Sequence, residues 1–122
     1  MIINLTQHAA TAEQLAAGVV DLTGQDLSNL KALLTFVCLP TAEAVYDRAY
    51  AVANLAQSHG AESVMIGGAP FFMGALERAL NKIGIKPLYA FSERVSVEKE
   101  VDGKIIKTNE FKHIGFVEVW SN

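Results

Sequence analysis

The segment Ser63–Pro70, with the sequence SVMIGGAP, constrains this chain more than any other. A short apolar run meets two glycines and a proline. Apolar residues then recur at helical spacing: Phe71, Phe72, Ala75, Leu76, Ala79, Leu80 and Ile83. The order is strand, tight turn, helix. At such a junction glycine lets the backbone approach a ligand closely, and the first turn of the helix presents free N–H groups suited to an anion, most often a phosphate.

The rest of the chain extends this pattern. Ile2–Leu5 reads as a short buried strand and Thr11 as the cap of a helix over Ala12–Ala17. Val19–Leu22 reads as a second strand or an extended link. Asp26–Leu34 has helical spacing, and its end overlaps a strand-like run, Leu34–Leu39. Thr41 caps a long helix that Gly60 closes. Lys86–Phe91 starts a further strand, Arg94–Val101 alternates apolar and polar residues, and Asp102-Gly103 is a hairpin signal. Ile105–Thr108 returns, and Lys112–Trp120 alternates again. Strands alternating with helices predict an α/β domain with a mostly parallel sheet covered on both faces, and the last two segments predict a C-terminal antiparallel hairpin at an edge.

Length and composition bound the function. The 122 residues fit one domain, 1–122. A hydrophobic content of 51% and a mean hydropathy of +0.25 leave apolar surface for a subunit interface, so a homodimer is expected. The net charge of −3 argues against coating of duplex DNA. Residues 1–85 carry four basic and seven acidic side chains, whereas 86–122 carry six of each. The single cysteine, Cys38, lies in an apolar run and reads as a small buried side chain in a reducing, cytoplasmic setting. Neither a secretory signal nor a membrane span is expected. The histidines and the cysteine lack metal-ligand spacing, so no metal or other cofactor is expected.

In open α/β sheets ligands bind beyond the carboxyl ends of the strands. Three segments are expected to converge there: Asn4–His8, Gly67–Pro70 and Ser92–Arg94. Gly67-Gly68, with Ala69, reads equally as a phosphate cradle or as a tight turn only. It lacks both the dinucleotide fingerprint and the phosphate-loop lysine. Asn4, Thr6 and Gln7 are candidates to orient a ribose or phosphate. His8 is a candidate general acid or base, or a local packing residue. Arg94 is able to hold a phosphate bidentately or to form a surface pair with Glu93. His113 is a candidate acid or base, or a structural histidine on the pleat. Trp120 is expected to seal a core edge or a dimer contact.

Pro87–Val97 (PLYAFSERVSV), Asp102-Gly103 and Phe111–Val119 (FKHIGFVEV) together resemble small CRISPR-associated proteins of the Rossmann-fold, ring-nuclease type (CARF-like). The resemblance covers the last third of the chain and the α/β layout. It implies a Rossmann-like three-layer sandwich that binds cyclic oligoadenylate at the interface of a dimer. It places phosphate contacts at Gly67, Gly68 and Arg94. It places acid–base or positioning roles at Ser92, Lys112 or His113. It also implies metal-free attack of a ribose 2′-hydroxyl on the adjacent phosphate. Two other readings stand beside it: a non-enzymatic dimeric interaction protein of phage or plasmid origin, and an enzyme acting on a phosphorylated metabolite.

Overall fold

The computed structural model describes residues 1–119; Trp120 lies outside the described residues. The order is β1 (Ile2–Asn4), α1 (Ala12–Ala16), β2 (Val19–Asp21), α2 (Gly24–Leu34), α3 (Ala42–Ser58), β3 (Ser63–Met65), α4 (Pro70–Lys82), β4 (Lys86–Val101) and β5 (Lys104–Glu118). They form one five-stranded sheet in the order β2-β1-β3-β4-β5. The first four strands run parallel and β5 runs antiparallel to β4. This is the α/β sandwich with a C-terminal hairpin that the alternation of elements predicts.

Local signals start the helices where expected. Thr11 closes a capping box with Gln14 at the start of α1. The Thr41 hydroxyl accepts from the Ala44 amide at the start of α3. Connections between parallel strands are right-handed, so α1 falls on one face of the sheet and α2, α3 and α4 on the other. Ile3, Leu5, Val64 and Ile66 supply the sheet side of the main core, and Leu30, Val52, Phe72, Leu76 and Leu80 supply the helix side. The opposite sheet face buries Val19, Met65 and Leu88 around the buried Asn4.

Two local expectations are corrected. Leu34–Leu39 forms no strand. It is irregular after α2, and Arg48 takes the backbone acceptors that a ladder would use, donating to the carbonyls of Thr35 at 2.6 Å and Leu33 at 3.5 Å. Cys38 is exposed rather than buried, because this loop turns its side chains outward, leaving Val37 and Leu39 exposed as well.

The hairpin differs most from a sheet edge of ordinary length. β4 pairs with β3 only through Lys86–Leu88, yet it continues to Val101. β5 follows it back without a break apart from one bulge, where Phe91 pairs with Gly115 and Ser92 with His113, so that Ile114 is the extra residue. Beyond the bulge the two strands form a ribbon with no third strand, about 30 Å long at the usual rise per residue. Asp102 and Gly103 close it with φ of 52° and 78°, both in the left-handed region that a two-residue hairpin turn requires.

Candidate functional site

A cleft of about 760 Å³ opens beyond the carboxyl ends of β1 and β3, beside Tyr89 and Ala90 of β4. Thr6, Gln7 and His8 leave β1 along one wall, and Gly67, Gly68 and Ala69 link β3 to α4 along another. Phe36, Phe71, Phe72 and Tyr89 supply aromatic lining. Phe36 meets Phe71 edge-on at 5.0 Å, and the Arg48 guanidinium lies over the Phe36 ring, 4.4 Å from its centroid.

The β1 wall is held by a buried polar knot. The Asn4 side chain, 4% exposed, donates from Nδ2 to the His8 carbonyl and to the Asp21 carboxylate, both at 2.8 Å. Its Oδ1 accepts from the Thr6 amide at 2.9 Å and the Thr6 hydroxyl at 2.7 Å. Asp21 in turn accepts from the Ala10 amide. Both amide protons and both lone-pair directions of Asn4 are therefore used. Asn4 sets the shape of the loop and is not itself free for a ligand, which corrects its expected role as a direct contact. Asp21 belongs to this knot, and the only sequence signal for it is a carboxylate at the carboxyl end of a short apolar strand.

The second wall is a helix start left open. No side chain caps α4, and Pro70 at its first position offers no N–H. The Phe72 amide bonds the Ala69 carbonyl at 2.9 Å, so Phe71 carries the first outward donor of the helix. Gly68 has φ of +151°, a conformation open to glycine and strained for other residues. A Cβ at Gly67 would meet only Thr6 Cγ2, at 3.6 Å. Among the described residues, no lysine, arginine, aspartate or glutamate lines the cleft. Backbone donors, the helix dipole and His8 are what an anion would meet there.

Tyr89 shapes the floor. Its hydroxyl donates to Glu77 Oε2 at 2.7 Å. Burial first, and then this hydrogen bond and the negative charge behind it, hold the hydroxyl above the ordinary phenol range.

The expected convergence of three segments holds for two. Thr6, Gln7, His8, Gly67, Gly68 and Ala69 share the cleft, and β4 contributes Tyr89 and Ala90 rather than Ser92–Arg94. The reason is that β4 does not end at Phe91: Ser92, Arg94, Lys112 and His113 lie along the ribbon and do not line the cleft. Ser92 is directly opposite His113, and Arg94 opposite Phe111 on the same face. Lys112 is opposite Glu93 on the other face. His113 packs edge-on against Phe116 at 4.9 Å, and its buried Nδ1 has no hydrogen-bond partner among the described residues. The aromatic lining is what the reading of the residues missed; Phe71 and Phe72 directly after the glycine turn carry the signal.

A family model, that of the uncharacterized protein MJ1673 family, matches residues 1–117. No curated protein and no solved structure shows a match. The chain belongs to the MJ1673 family.

Proposed function

We propose that this member of the MJ1673 family binds a phosphate-bearing nucleotide in the cleft at the strand ends. The observation that carries the reading is the pairing of an uncapped, 13-residue helix start with aromatic walls in one cleft. A phosphate takes the N–H groups at Gly68 and Phe71 with the helix dipole behind them. The base takes the aromatic side formed by Phe36 and Phe71, and Thr6 and Gln7 face the ribose. The lack of a cationic side chain in the lining favours one phosphate group over a polyphosphate.

Cyclic oligoadenylate is the ligand class that the CARF-like resemblance implies, bound by a dimer with one nucleotide unit in each cleft. Metal-free cleavage would then break the bond between phosphorus and the leaving 5′-oxygen as the neighbouring 2′-oxygen attacks. The 2′-hydroxyl loses its proton, the 5′-oxygen gains one, and the products are a cyclic 2′,3′-phosphate and a 5′-hydroxyl. His8, exposed at the cleft, is the residue suited to move that proton, an effect of about 10²–10⁴-fold for such a group. A cleft formed within one chain also supports the reading as an enzyme for a phosphorylated metabolite of mononucleotide size.

The test is thermal unfolding with AMP and with cyclic tri-, tetra- and hexa-adenylate, each followed by product analysis. A ligand at about 100 times its Kd stabilises by ~2.7 kcal/mol. Stabilisation by the rings with cleavage supports a ring nuclease, and stabilisation without cleavage a sensor. Stabilisation by AMP alone supports the metabolite reading, and no stabilisation by any of them refutes nucleotide binding.

A further inference from the structure

We infer that two copies of this chain join through the free edges of β5, antiparallel, with Phe111 on the two-fold axis. The ribbon is the starting point. A two-stranded hairpin alone is marginal in water, and this one has free edges on both sides beyond Leu88. Its β5 strand has no proline to block an added strand, and it exposes Ile105 and Phe111 at 72% and 73%. Residues 92–112 carry five acidic and five basic side chains, so the arm has no net charge with which to attract a strongly charged partner. A second copy presents the same balanced pattern.

Charge opposition across a symmetric edge then favours one register. A two-fold axis that makes strands antiparallel within one sheet is perpendicular to that sheet, so opposed residues share a face and the axis passes midway between one residue and its own copy. Axes at Lys107, Glu110 or Lys112 place like charges on the axis itself. An axis at Thr108 opposes Lys104 to Lys112, and one at Asn109 opposes Ile106 to Lys112. An axis at Phe111 stacks the two phenyl rings and opposes Glu110 to Lys112 twice. Lys112 already faces Glu93 within its own chain, and Glu110 already holds Lys99 at 2.7 Å. Charges thus alternate across three strands as Glu93, Lys112 and Glu110, and Lys99 of the fourth strand reaches Glu110 from further along. The same register opposes Asn109 to His113 of the second copy, which brings an amide donor to the face of the unpartnered Nδ1. Past the bulge at Ile114 the opposition shifts by one residue and sets Ile106 against Val117 of the second copy.

The test is charge reversal, read by light scattering after size exclusion and by sedimentation. Wild type is expected to be a dimer. Glu110→Lys and Lys112→Glu each create two like-charge oppositions and weaken it by about tenfold or more. The double variant, Glu110→Lys with Lys112→Glu, restores it. A monomeric wild type, a dimer indifferent to either single reversal, or a double variant that stays monomeric would overturn the register. Far-UV circular dichroism checks the fold of each variant. Should a reversal unfold the arm, Phe111→Cys in a Cys38→Ser background keeps the question open to measurement. Mild oxidation is expected to link it into a covalent dimer through residues that meet on the axis, while Val101→Cys in that background forms no covalent link. Equal cross-linking at both positions, or none at Phe111→Cys, refutes the pairing.

Discussion

Asn4 and the two glycines act on the cleft in different ways, and single substitutions separate them. Asn4→Ala leaves the Thr6 amide without its acceptor and removes one of two partners from the His8 carbonyl and from Asp21 Oδ1, which keep the Thr6 hydroxyl and the Ala10 amide. It is expected to cost about 1–3 kcal/mol in chemical denaturation, the usual range for a lost buried partner. Gly67→Ala meets only an ordinary contact at 3.6 Å, so it should leave the unfolding midpoint nearly unchanged while weakening a ligand that approaches the backbone. Gly68→Ala adds backbone strain at φ +151° and should lower stability as well. Equal loss of stability in both glycine variants would assign the turn a purely structural role. Tyr89 supplies a pH signature. A phenol whose pKa is raised in the folded state contributes stability that is whole below about pH 10 and is lost as pH rises further. Alkaline titration followed by tyrosinate absorbance should show a late phase that Tyr89→Phe removes.

Among the elements, the hairpin arm is separable from the domain. Among the described residues, none of the buried core lies beyond Leu88. Replacing Ser92–His113 by a short Asn-Gly turn should therefore keep the far-UV spectrum of the helices, the cooperative unfolding transition and the cleft, while abolishing self-association. Loss of cooperative unfolding would show that the arm is part of the folding unit. The turn that ends the arm was legible in the sequence, because Asp102-Gly103 satisfies a backbone demand that few residue pairs meet. The helix starts were legible for the same reason at Thr11, Thr41 and Pro70. The length of the arm was not, since alternation reports which face of a strand is apolar and does not report where neighbouring strands stop. That gap is why Ser92–Arg94 was expected at a strand exit and instead lies in mid-strand. Leu34–Leu39 failed differently: its composition suits a strand, but Arg48 occupies the acceptors and the chain turns outward through Cys38.

At the scale of the whole molecule, the parallel core and the antiparallel arm divide the work. The core gathers the segments after β1 and β3, with Tyr89 and Ala90 of β4, around one cleft, and the arm extends β4 and β5 beyond it. Half of the candidate site was legible, namely the residues that follow β1 and β3, because a strand-end location follows from topology alone. The aromatic wall and the Asn4–Asp21 knot depend on contacts between segments distant in sequence, which no local pattern records. Among the described residues no helix is long and apolar enough to cross a membrane. The most direct test of nucleotide binding is amide chemical-shift mapping of the isotopically labelled protein, titrated with AMP and with cyclic tetra-adenylate. Saturable shifts centred on His8, Gly67, Gly68 and Phe71 are expected. Shifts confined to the arm, or none at millimolar ligand, would contradict a nucleotide site at the strand ends.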